Sequence, residues 1–151
     1  MKHILLDSAP LGLLTSPRGD TEVIAINQWA ENCFLAGHQI YLPEIIDYEL
    51  RRELIRAKKT AGLALLDKLK TICTYLPLNT ATMLYAANLW ANSRNAGNPT
   101  GDPKKLDIDV ILCAQAITLP LSSGDTLIIA TMNVKHITGF VSADLWTNII
   151  P

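Results

Sequence analysis

His3-Ile4-Leu5-Leu6-Asp7 is a short apolar run that ends in an acid, and Pro10 and Gly12 follow it closely. The run predicts a buried strand over 3–7, because Pro10 and Gly12 stop it from lengthening into a helix of any size. Outward from there the pattern alternates. Val23, Ile26, Ala30 and Phe34 recur at helical spacing over 21–36, and Gly37 marks the stop. A second strand is expected over 38–42, with Pro43 suited to the first turn of a helix over 43–57. Another helix follows over 62–72 on Leu63, Leu66 and Leu69 or Lys70, then a third strand over 73–78. Asn79 or Thr80 can cap a long helix to about Ala96, with Met83, Ala86, Ala87 and Trp90 as its inward stripe. A polar loop over 99–105 leads to a helix over 107–119 that is apolar nearly all round after its acidic start. The most buried strand is expected over 126–131, with a short last one near 140–141. Strands alternating with helices imply parallel pairing and right-handed crossovers, hence an α/β fold built as a three-layer α/β/α sandwich.

The 151 residues suit a single domain over 1–151, and 49% hydrophobic with 18% charged residues argues against disorder. No apolar stretch reaches the roughly 20 residues of a membrane span, and the N-terminal run is too short for a signal peptide, so a cytoplasmic location without membrane contact is expected. Cys33, Cys73 and Cys113 are odd in number and set among apolar neighbours. They predict reduced core thiols rather than disulfides or zinc ligands. A net charge of −1 gives no global signal for nucleic acid, so any such partner has to be argued locally.

In open parallel sheets the functional crevice lies outside the carboxyl ends of the strands. Asp7 stands there, and so does Asn133, just past Thr131. Either can equally be a turn residue bonding its own backbone. Asp109 opens the last long helix, where an acid at the N-cap or in the first turn is the plain reading, shared with Asp107. Glu49 and Glu53 fall inside the arc formed by Ile45, Ile46, Leu50, Leu54 and Ala57, so two carboxylates interrupt a buried face. Pairing of Glu49 with Arg52 and of Glu53 with Arg56 would account for them. Asp7, Glu49 and Asp109 at one sheet edge would instead repel one another unless a cation neutralised them. All-oxygen ligands suit Mg²⁺ or Mn²⁺, and such a site can hydrolyse phosphodiesters.

Four segments in order, Ile4-Leu5-Leu6-Asp7-Ser8, Glu49-Leu50-Arg51-Arg52-Glu53-Leu54, Asp109-Val110-Ile111-Leu112-Cys113-Ala114-Gln115-Ala116 and Ile128-Ile129-Ala130-Thr131-Met132-Asn133-Val134-Lys135-His136, resemble the PIN-domain nucleases. That family includes the toxin components of VapBC toxin-antitoxin pairs. The resemblance implies a PIN-like parallel sheet of about five strands and Mg²⁺- or Mn²⁺-dependent endonucleolytic cleavage of single-stranded or loop RNA. It also implies an antitoxin-like protein partner. Carried over by position, the catalytic set is Asp7, Glu49, Asp109 and Asn133, with Ser8 beside the first acid and Asp107 in reserve for the third. Asp7, Glu49 and Asp109 are the implied metal ligands. Asn133 brings no charge, which favours one ion over two, and Met132 stands where toxin relatives often carry Arg. The segment 95–106 is longer than in compact toxins.

Neutralising three acids would leave the rest of the chain slightly basic. Arg52, Arg56 and Lys59 form a row near Glu49 over which a phosphate backbone could pass, with Lys135 as a further RNA contact and Arg18, Lys104, Lys105 and His136 as weaker ones. The same row can be a solvated face paired with its own acids. Tyr41, Tyr48 and Trp90 are assigned to the core. A homodimer is expected through Leu63, Leu66 and Ile55. The competing function is a catalytically silent PIN-like module that binds RNA or protein, its acids structural. A phosphatase of the haloacid-dehalogenase type is set aside, because Ala9 stands where its second Asp would be needed.

Overall fold

The computed structural model describes residues 1–96 and 103–151, with the side chains of all of these but 103–106. Five parallel strands form one sheet in the order β3-β2-β1-β4-β5: β1 (Lys2–Leu6), β2 (Gln39–Pro43), β3 (Thr74–Leu76), β4 (Thr126–Ala130) and β5 (Ala143–Asp144). The helices of the described residues flank it as α1 (Ser8–Leu14), α2 (Thr21–Leu35), α3 (Glu44–Arg56), α4 (Thr60–Ile72), α5 (Thr80–Asn95), α6 (Pro103–Ile117) and α7 (Val134–Ile137). The result is the three-layer α/β/α sandwich. Ile4, Leu5 and Leu6 on β1 are fully buried, as a central parallel strand covered on both faces requires. Chain order reverses direction between β1 and β4, so the switch point of the sheet falls between the ends of those two strands.

Several elements differ from the sequence reading for identifiable reasons. After β1 the chain turns into the short helix α1, which has no counterpart in the sequence reading and in which Pro10 is the third residue, where its missing N–H has no helical partner to lose. On α2 Cys33, not Phe34, completes the buried stripe, and Phe34 is exposed. Pro43 ends β2 and stands at the N-cap of α3 instead of inside it. The inward face of α5 is Thr82, Ala86 and Leu89, while Met83, Ala87 and Trp90 point outward. The last strand lies at 143–144, because the Phe140 and Val141 N–H groups are already given to Ile137 O in the turn after α7. Of the loop expected over 99–105, residues 99–102 lie outside the described residues, and 103–105 already belong to α6. The side chains of Lys104 and Lys105 also lie outside them. No helix among the described residues is long and apolar enough to cross a membrane.

Tyr41 is buried as expected, but Tyr48 and Trp90 are exposed, each with an arginine over its ring: Arg52 at 5.0 Å and Arg94 at 5.1 Å from the centroids. Leu66 is wholly enclosed in the chain's own core and cannot serve a dimer contact, whereas Ile55 is exposed. All three cysteines are free and buried. Burial pushes the Cys33 thiol up to about 11 and those of Cys73 and Cys113 to about 12. Titration of the native chain with a thiol-specific disulfide reagent at pH 8 should therefore find almost no reactive thiol, and three after unfolding. Rapid modification of any one thiol in the native state would contradict that burial.

Candidate active site

Asp7 directly follows β1, and the fold uses it twice. Its Oδ1 accepts from the Ser8 N–H at 2.7 Å, capping α1, and its Oδ2 accepts from the Thr131 hydroxyl at 2.7 Å. Thr131 follows β4, is itself buried, and accepts from the Asn133 N–H at 2.9 Å. A bond spanning 124 residues thus locks the ends of the two central strands together at the switch point. Asp7 is 4% exposed, and no cationic side chain among the described residues pairs with it. A carboxylate has about four acceptor positions, so two accepted bonds leave Asp7 with capacity toward the cleft.

A cleft of about 550 Å³ opens beside it, its wall including Asp7, Ser8, Glu49, Arg52, Asp109 and Asn133. Four elements of the chain therefore bring the four expected site positions to one place. Glu49 is half-buried on α3, and Asp109 half-buried on α6. The two helices are held in relation by Gln115: its Nε2 donates to Leu76 O at 2.8 Å, and its Oε1 accepts from the Ile45 N–H at 3.4 Å. Asp109 and Asp7 both act on the same buried thiol, because after burial itself their charges are what raise Cys113. Asn133 stands at the N-cap of α7 but its side chain caps nothing there.

The plain readings of these acids fare differently. Asp109 is the seventh residue of α6, too far along to cap its start. Asp107 is exposed and is not part of the cleft wall. Glu53 lies outside the buried arc: its carboxylate is 58% exposed and pairs with Arg56 at 2.9 Å. That exposed pair pulls Glu53 down and Arg56 up. No ion pair among the described residues joins Glu49 to Arg52, whose guanidinium turns to Tyr48 instead. The expected basic row is therefore dispersed. Arg52 lines the cleft, Arg56 is occupied by Glu53, Lys59 lies beyond the end of α3 at the start of α4, and Lys135 is exposed on α7. The role of Thr131 was not legible beforehand, because only a long-range contact reveals it.

The oxygen-only character of Asp7, Glu49, Asp109 and Asn133, with no thiolate or imidazole in the wall, fits a hard divalent cation. No three His, Cys, Asp or Glu side chains among the described residues stand close enough to enclose one ion. The set fits an ion of the Mg²⁺ kind, which takes one or two carboxylates and keeps water on its other positions.

No family model and no curated protein matches the sequence. Solved structures do. A chain of VapBC-1 from nontypeable Haemophilus influenzae aligns at a TM-score of 0.66 and 16% identity over 98% of this chain and 100% of that one. A chain of VapBC2 from Rickettsia felis, bound to a DNA fragment from their promoter, aligns at 0.65 and 16% identity over 95% and 98%. One of DNA-bound VapBC from Salmonella typhimurium aligns at 0.57 and 13% over 97% and 99%. The fold is VapC-like and of the PIN-domain kind.

Proposed function

We propose, from this fold and the acid-lined cleft together, that the chain is a Mg²⁺- or Mn²⁺-dependent endoribonuclease acting on single-stranded or loop RNA, held in check by an antitoxin-like protein. The observation that carries the reading is the meeting of Asp7, Glu49, Asp109 and Asn133 in one cleft at the carboxyl ends of β1 and β4. One or two of Asp7, Glu49 and Asp109 would ligate the ion directly, and the rest would reach it through its bound waters. When bound, it supplies orientation of the scissile phosphate and a lowered pKa for the attacking water. Thr131 and the Ser8 N–H keep the Asp7 carboxylate turned to the cleft. Asn133 offers an amide to a water or a phosphate oxygen, and Arg52 offers its guanidinium to the phosphate backbone. A homodimer remains part of the proposal, with Leu63 and the exposed Ile55 but without Leu66.

Mn²⁺ at millimolar concentration should raise the melting temperature of the chelator-treated protein, since a ligand of the folded state alone stabilises it by mass action. At a hundredfold excess over Kd the gain is about 2.7 kcal/mol, or roughly 5–10 °C for a chain of this size. Asp109→Asn should remove most of that shift. In a catalytically silent module the acids are structural, as Asp7 already is for α1, and metal leaves the curve unmoved; that result would overturn the nuclease reading.

A further inference from the structure

Beyond the acid cleft, on the other side of Leu50, lies a second groove of about 660 Å³ whose wall includes Leu50, Leu54, Arg18, Lys58, Lys59 and Asp20. Leu50 is shared by both walls, so the two depressions adjoin along α3. The charge of this groove is distinctive. Arg51, Arg56 and Lys70 are each tied to a carboxylate, whereas Arg18, Lys58 and Lys59 make no ion pair among the described residues. Three exposed cations and one acid, Asp20, share its wall with the hydroxyl residues Thr15, Ser16 and Thr60 and with apolar side chains.

Lys58 is held there at a conformational cost. The Lys58 N–H donates to Ile55 O at 3.0 Å and the Lys59 N–H to Leu54 O at 2.9 Å, closing α3 with the turn that ordinarily places glycine in the left-handed region. Here that position is a lysine, with φ +54°, the one residue other than glycine at positive φ among the described residues. Glycine would relieve the backbone, but it would remove the ammonium from the groove wall.

We propose that this groove is an RNA-backbone track, in which Arg18, Lys58 and Lys59 bind phosphates adjacent to the one being cleaved at Asp7. The proposal rests on the nuclease reading for its direction, because a strand whose scissile phosphate lies among the acids crosses Leu50 to reach these cations. Charge complementarity favours a polyanion. Continuity with the acid cleft favours the substrate over an acidic segment of a protein partner.

The test is equilibrium binding of a fluorescein-labelled, mixed-sequence 20-nucleotide single-stranded RNA to the full chain carrying Asp7→Asn, at several salt concentrations. Three phosphate contacts on a single strand contribute about 2 to the slope of log affinity against log salt. Adding Arg18→Gln, Lys58→Gly and Lys59→Gln together should flatten the slope by about that amount and weaken binding at least tenfold at 0.1 M salt. Lys58→Gly alone should flatten it by about 0.7 while leaving the melting temperature equal or higher, a combination that a merely structural role for Lys58 would not produce. If the unsubstituted chain cleaves RNA but the triple substitution leaves the slope unchanged, the track is overturned with the nuclease reading intact, and the groove falls to a protein partner. A flattened slope beside an unsubstituted chain that never cleaves RNA supports the track and overturns the nuclease reading alone.

Discussion

Asp7→Asn is expected to lower single-turnover RNA cleavage by about a thousandfold, the equivalent of roughly 4 kcal/mol in the barrier. Asparagine can keep the local hydrogen bonds. Its carbonyl oxygen can accept from the Ser8 N–H, and its amide can donate to Thr131, whose hydroxyl has a second acceptor position beside the one used by the Asn133 N–H. The change therefore removes charge from a 4%-exposed position without dismantling the junction of β1 and β4. Asn133→Ala should retain measurable activity, since a neutral amide can hold only water or phosphate, and Glu49→Gln should fall between the two. The assay is cleavage of a mixed pool of structured RNAs with Mn²⁺ against a chelator control. Cleavage by Asp7→Asn at the unsubstituted rate would place the catalytic centre elsewhere.

The parts of this site that sequence could reveal are those that depend on local pattern. A strand buried on both faces reads as an unbroken apolar run, so Ile4-Leu5-Leu6 and its terminal acid are plain; the run leading to Asn133 is also a strand, but not the most buried one, because Thr126 is exposed and Leu127 and Ile128 are only half-buried where β1 is covered from His3 on. Glu49 showed itself by interrupting an apolar arc, but Glu53 did so by the same rule and is exposed, because the arc's outer edge faces solvent at that turn. The inward face of α5 does not follow from spacing, because its apolar residues surround the helix. What selects the face is Thr82, whose hydroxyl lies 3.2 Å from that of Thr118 on the segment after α6. The roles of the Thr131 hydroxyl and of the Asp47 carboxylate escape a local pattern for a shared reason: the bond of Thr131 to Asp7 and that of Asp47 to Tyr75 join distant parts of the chain.

Asp47 leads to the second large effect. Replacing it with alanine should destabilise the fold by about 3 kcal/mol, the usual loss when one partner of a buried ion pair is removed. Asp47 is 6% exposed at the start of α3. Its Oδ1 accepts from Arg51 Nε at 2.9 Å, its Oδ2 accepts from the Tyr75 hydroxyl at 3.1 Å, and Lys70 Nζ on α4 lies 3.7 Å away. Burial, together with the charges of Asp47 and Glu44, holds the Tyr75 hydroxyl well above its ordinary range, so it stays a proton donor. Alanine leaves Arg51 with Asp67 alone, whose side chain is 64% exposed, and one Arg51 guanidinium nitrogen is already without a hydrogen-bond partner. A loss of that size lowers the melting temperature by roughly 6–12 °C. Asp67→Ala, which removes only a solvated partner, should stay within about 0.5 kcal/mol of the parent. Urea unfolding with an unchanged m-value measures both, and an Asp47→Ala midpoint within error of the parent would refute the account. The consequence extends to the cleft, because the network that fastens α3 to β3 and α4 also fixes the helix turn that carries Glu49. Asp47→Ala should therefore reduce the melting shift produced by Mn²⁺, although Asp47 is not part of the cleft wall.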